Sequence, residues 1–161
     1  MKLIFLILLV LGTYGFHLQN LEARPSINLN LDSTWKCSFK NHTYACTKGK
    51  PGRDQKLIVW NTKPVKKNLL SIDDWYEDLS QKLSYKAGLV SQPKYTKKIQ
   101  LGGRTWVDSL HWQSMAKDHF TRYLVTVDGE KFAFVTLTAD KNNFKSLEQE
   151  LKPIIEKLNI E

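Results

Sequence analysis

No stretch of this chain is apolar over the roughly 20 residues that a membrane-crossing helix needs. The longest run, Leu3 to Leu11, has nine, so no transmembrane segment is expected in the mature protein. Cysteine is nearly missing: Cys37 and Cys46 are the only two, and without a Cys-x-x-Cys a thioredoxin-like exchange site is not expected. Gly-x-Ser-x-Gly, His-Glu-x-x-His and His-x-x-x-His are all absent, which removes the local signatures of α/β-hydrolases and zinc peptidases. Nucleotide motifs are absent too, and the lone pair Gly102-Gly103 carries no phosphate-binding role. No internal repeat or low-complexity tract occurs, and 42% hydrophobic residues argue for a folded chain.

What is present begins with Lys2 followed by the apolar run, the pattern of a secretory signal. Small residues Thr13 and Gly15 suit a cut that leaves Phe16 first, with a cut after Ala23 as the alternative. Residues 1–15 are therefore expected to be a signal peptide, and 16–30 a mobile lead-in or an edge strand. The remainder, 31–161, has the size of one domain. The expected address is secreted, or periplasmic if the source is a Gram-negative bacterium.

In an exported chain an even pair of cysteines reads as a disulfide. A hairpin turning at Asn41-His42 places Lys40 opposite Thr43, Phe39 opposite Tyr44, Ser38 opposite Ala45 and Cys37 opposite Cys46. Counted outward from the turn, the cysteines form a non-hydrogen-bonded pair, whose Cα separation of about 4.5 Å suits a bridge. Asn41-His-Thr43 is also a glycosylation sequon, relevant in a eukaryotic source.

Leu57 to Trp60 reads as a buried strand. A helix follows, capped by Ser71 with Asp74, stapled by Leu70 and Trp75, and striped by Ile72, Trp75, Tyr76, Leu79 and Leu83. It is expected to run to about Leu83. The carboxylates Asp74, Glu77 and Asp78 fit the dipole at a helix start, and no metal is expected there. Four strands are expected over 95–101, 104–113, 120–127 and 131–138. Asp128-Gly129 reads as a two-residue turn pairing Val127 with Glu130, Val125 with Phe132 and Tyr123 with Phe134. Tyr123, Val125, Phe132 and Phe134 share one face; Phe120, Leu124, Ala133, Val135 and Leu137 share the other, so both sides need cover. A last helix carries Phe144, Leu147, Leu151, Ile154, Ile155 and Leu158, with Pro153 expected to kink or split it. The fold class is α+β: an α-β-α sandwich with a central, largely antiparallel sheet flanked by helices, plus a disulfide-bridged N-terminal hairpin.

The order of a tryptophan-started hairpin, strand, capped helix, basic loop, long antiparallel strands and a final helix after Thr136-Leu-Thr-Ala-Asp140 resembles the PsbP-like superfamily. That superfamily includes extrinsic photosystem subunits and a Ran-binding import factor. The likeness spans roughly Leu31 to Asn159. It implies an α-β-α sandwich that docks on other macromolecules, and it carries over no catalytic residue. The plain signal peptide and the disulfide hairpin set this chain apart from the photosynthetic members.

Formal charge is +8, unevenly spread. Lys48, Lys50, Arg53, Lys56, Lys63, Lys66 and Lys67 face only Asp54, and Lys86, Lys94, Lys97, Lys98 and Arg104 occupy a segment without any acid. Gathered at one end of the fold, these residues would form a positive patch with Trp60, Tyr95 and Trp106 as aromatic neighbours. The expected partner is a protein or an anionic envelope component, with no nucleic acid, no cofactor, no metal and a monomeric chain. The competing reading is an exported hydrolase or metal-dependent enzyme using His111 or His119 with Ser109 or Ser114. Ser109 and His111 alternate onto one strand face, too regular for a nucleophile elbow, so structural histidines and a non-enzymatic binding domain are expected.

Overall fold

The computed structural model describes residues 31–40, 43–50, 55–61, 71–84, 90–114, 117–128 and 131–156. The expected signal peptide, the lead-in, the sequon's Asn41, Leu70 and Leu158 lie outside the described residues. In chain order the elements are β1 (Lys36–Lys40), β2 (Thr43–Lys48), β3 (Lys56–Asn61), α1 (Ile72–Ser80), β4 (Gln92–Leu101), β5 (Arg104–Trp112), β6 (His119–Asp128), β7 (Lys131–Asp140) and α2 (Phe144–Ile155). The strands form one sheet in the order β1-β2-β3-β7-β6-β5-β4, every neighbour antiparallel. Among the described residues no helix is long and apolar enough to cross a membrane.

Strand alternation divides the sheet into two apolar faces. Trp106, Leu124, Ala133, Val135, Leu137, Ile58 and Trp60 pack against Phe144, Leu147, Leu151 and Ile155 of α2. Val107, Tyr123 and Val125 pack against Leu79, with Ile72, Trp75, Tyr76, Phe132 and Phe134 around them. One helix therefore covers each face.

The N-terminal hairpin has the expected register, and Cys37 is bonded to Cys46 with Cα atoms 4.0 Å apart. Ser71 caps α1 with a reciprocal capping box to Asp74. The helix ends at Ser80 rather than near Leu83, because Gln81 turns extended and the Leu79 carbonyl is taken by sheet side chains. Leu83 still packs on the same cluster from outside the helix. Strand β4 starts earlier than expected and includes Pro93. An edge strand accepts a proline, and a register shift between Pro93 and Tyr95 absorbs Lys94 as a bulge.

Gly102 and Gly103, with φ of 56° and 74°, make the tight turn between Leu101 and Arg104. Positive φ at both central residues is what a type I′ hairpin requires. The β6–β7 register differs from expectation: Asp128 pairs with Lys131, Val127 with Phe132 and Val125 with Phe134. The slip is two residues in total, so each side chain keeps its face. Pro153 lies within α2 without splitting it; only the final turn follows, so the missing N–H costs a single late helical bond.

Leu147 is fully buried between α2 and the sheet. Leu147→Ala should lower unfolding stability by about 2–5 kcal/mol, read as an earlier midpoint in urea with an unchanged slope.

Candidate binding surfaces

The register shows where the expected basic residues fall. Lys48 pairs with Lys56, and the row continues through Ala139, Phe120 and Trp112 to Gln92. Four interstrand steps, roughly 19 Å, separate β3 from β4. Lys48 and Lys56 therefore lie far across the sheet from Lys94, Lys97 and Lys98. Arg104 is at the opposite end of the strands, beside the glycine turn. Lys50 is exposed, and Arg53, Lys63, Lys66 and Lys67 are outside the described residues. Lys48 with Lys56, and Lys94 with Lys97 and Lys98, thus form two groups rather than one patch, with Arg104 apart from both.

The first group is internally neutralised. Glu150 on α2 accepts from Lys48 Nζ at 2.6 Å, Lys56 Nζ at 3.0 Å and Trp35 Nε1 at 3.1 Å. Lys48 also pairs with Asp32 at 3.3 Å and sits 5.7 Å from the Trp35 ring centroid. Burial alone would raise the Glu150 carboxyl, but the donors from Lys48, Lys56 and Trp35 outweigh it and hold the pKa below its ordinary value. These lysines clamp α2 to the sheet.

The second group is more open. Lys94 is exposed, Lys97 lies 5.1 Å from the Tyr95 ring, and Lys98 pairs with Asp73 while standing 5.2 Å from the Tyr76 ring. Lys97 shares a face with Ile99 and Leu101, which line a groove of about 360 Å³ along α2 with Arg122, Glu148, Lys152 and Ile155. Of the aromatic neighbours expected, Tyr95 stands in this group, whereas Trp60 and Trp106 belong to the core.

Beneath the groove lies a charge network that sequence reasoning missed. Arg122 holds the fully buried Asp108 through Nε to Oδ1 at 2.8 Å and Nη2 to Oδ2 at 2.9 Å, and reaches Glu148 at 3.3 Å. The Tyr95 hydroxyl donates to Asp108 at 3.4 Å, and Lys97 stands 3.8 Å away. Burial, reinforced by the Asp108 charge, pushes the Tyr95 phenol up to about 12. Burial also works against the Arg122 charge, yet Asp108 outweighs it and keeps the guanidinium above its ordinary value. An inward polar residue at 108, amid the apolar positions 106 and 110, was the available signal; its partner fourteen residues on was not visible.

The histidine site resolves into hydrogen-bonded packing. His111 is fully buried, its Nε2 2.8 Å from the Leu79 carbonyl and its Nδ1 2.8 Å from Ser91 Oγ. A carbonyl only accepts, so Nε2 carries the hydrogen and Nδ1 accepts from Ser91. Ser109 Oγ approaches the Leu79 and Tyr95 carbonyls at 3.2 and 3.1 Å, which directs its hydrogen away from any base. Ser114 bonds Tyr123, and His119 Nδ1 donates to the Lys117 carbonyl at 2.7 Å. Among the described residues no group of His, Cys, Asp or Glu is gathered closely enough to hold a metal ion.

Burial lowers the pKa of His111, the bond to Leu79 offsetting part of the effect. The unfolded chain therefore binds this proton first as pH falls. His111 stabilises fully above its ordinary value of 6.5, and that contribution is lost as pH drops from there through the folded value. Denaturant midpoints between about pH 7 and pH 5 should fall more steeply for the wild type than for His111→Gln. Arg122→Met leaves Asp108 buried beside weaker partners and should cost about 3–5 kcal/mol in thermal or urea unfolding, most of it recovered in the double variant with Asp108→Leu.

No family model matches the chain, and no curated protein matches it. Solved structures do. PA94 from Pseudomonas aeruginosa, a protein of unknown function, is 14% identical with a TM-score of 0.57 over 77% of this chain and 87% of its own. LpqN of Mycobacterium tuberculosis, involved in cell envelope biogenesis, is 14% identical with a TM-score of 0.56 over 83% of this chain and 82% of its own. At that identity the likeness is one of fold.

Proposed function

We propose that this chain is an exported, non-enzymatic binding domain of PsbP-like type that docks on an anionic macromolecule through the basic β4 edge and the adjoining groove. The observation that carries the reading is continuity. Lys97 alternates onto the same face of β4 as Ile99 and Leu101, which line the groove, so its cation borders that apolar floor, while Lys94 and Lys98 are exposed elsewhere along the same edge strand. Lys152 and Arg122 also line the groove, where Glu156 and Glu148 pair with them, so the cationic character of the surface comes from the β4 lysines.

Export is supported by the apolar leader and by the Cys37–Cys46 bridge, since such bonds persist in oxidising compartments. A neighbour in fold, LpqN, is described as involved in cell envelope biogenesis, which fits the same address. The element order favours the PsbP-like assignment. The hydrolase reading is disfavoured because the hydrogen-bonding capacity of Ser109 and His111 is spent on the end of α1.

Poly-L-glutamate binding, followed by calorimetry across salt concentrations, tests the surface. The triple variant Lys94→Glu, Lys97→Glu, Lys98→Glu should weaken binding at least about tenfold more than Lys117→Glu, Lys141→Glu, Lys145→Glu, which changes net charge equally elsewhere. Affinity should also fall as salt rises. Equal losses from both triples, or binding indifferent to salt, would leave only a generally basic surface.

A further inference from the structure

The sheet has two edges, and they are built differently. At β4 the edge is blunted by Pro93, by the bulge beside it and by three lysines, the devices that keep an edge from pairing with another chain. At β1 there is no proline and no bulge; the register runs unbroken over five pairs, and all five residues are exposed. Among the described residues β1 is bordered by β2 alone.

Pairing geometry says which backbone groups face outward. Cys37 and Cys46, with Cα atoms 4.0 Å apart, are a close, non-hydrogen-bonded pair, and Phe39 with Tyr44, two residues on, is another. The N–H and C=O groups of Cys37 and Phe39 therefore point away from β2, at the spacing an added antiparallel strand would engage. The bridge to Cys46 holds this acceptor strand in its extended shape before anything binds.

Side chains define what would bind. Cys37 and Phe39 lie on one face, where Phe39, 45% exposed, ends an aromatic ladder through Tyr44 at 4.4 Å to Trp60 at 4.6 Å. Lys36 and Lys40 lie on the other face, exposed and without an ion pair among the described residues. We propose that β1 is a docking strand that takes an acidic, extended peptide segment by strand addition. Carboxylates sit opposite Lys36 and Lys40, and apolar side chains continue the Phe39 ladder. A second copy of the chain is a poor occupant: antiparallel pairing about Ser38 sets Lys36 against Lys40, and like charges directly opposed are destabilising. The surface lies across the sheet from the β4 edge and does not rest on the reading made for it.

The probe is acetyl-Thr-Glu-Val-Thr-Val-Glu-Thr-amide, titrated into the nitrogen-15-labelled, disulfide-intact chain. The amides of Cys37 and Phe39 should shift and gain protection from exchange, whereas those of Lys36, Ser38 and Lys40 are protected by β2 from the start. Replacing both glutamates of the probe by lysine should weaken binding at least about fivefold, and Lys36→Glu with Lys40→Glu should reverse that preference. Phe39→Pro removes an outward N–H without touching the β2 ladder and should abolish binding. The β4 triple variant should bind the probe unchanged. The proposal is overturned by shifts confined to β4, by equal binding of the lysine peptide, by β1 amides already protected in the free protein, or by self-association at this edge. If Phe39→Pro does not fold, the charge-swap pair decides alone.

Discussion

The Leu79 carbonyl, in the last turn of α1, accepts hydrogen bonds from Thr96, Ser109 and His111, three side chains on two neighbouring strands. A helix of nine residues is too short to be stable alone, and its last carbonyls have no partner within the helix. Seating that end on buried sheet donors satisfies the carbonyl and fixes where the helix stops. It also aligns the Ile72, Trp75, Tyr76 and Leu79 stripe over Val107, Tyr123 and Val125. The residues that look most like catalytic machinery are therefore those that hold one layer of the sandwich in place.

The other layer is pinned by charge. Glu150 binds α2 to Lys48, Lys56 and Trp35, while Glu148 meets Arg122 above the buried Asp108. Partly buried ion pairs are weak sources of net stability, but their geometry is demanding, and breaking one strands a charge away from water. They set the position of α2 and leave a groove between it and β4. The charges of Lys48, Lys56 and Arg122 are used up in this way. Among the described residues, exposed lysines remain on both edge strands, at Lys36 and Lys40 of β1 and at Lys94, Lys97 and Lys98 of β4, and it is there that binding is proposed.

Much of the fold was legible. The cysteine register followed from counting outward from a two-residue turn, because strand pairing alternates with a strict period of two. The α1 stripe, its capping box and the two faces of β6 and β7 followed from periodicity for the same reason. Asp128-Gly129 points to a β6–β7 register two residues away from the one observed, yet the face assignments hold because the slip is even. The apolar stripe overruns the end of α1, since Leu83 continues it by packing on the same cluster without being helical.

The candidate surfaces were less legible. Charge density along the chain does not say which strands become neighbours, and here β7, β6 and β5 stand between Lys56 of β3 and the lysines of β4. Local pattern alone determined the alternation of apolar faces, the paired cysteines and the helix start at Ser71, since each depends on residues within a few positions of one another. Only the tertiary structure decided that Lys48 and Lys56 close on Glu150, that Asp108 meets Arg122, that His111 supports a helix end, and that β1 and β4 form the two edges. Those outcomes depend on contacts between residues far apart in the chain, which strand order creates and local spacing does not encode.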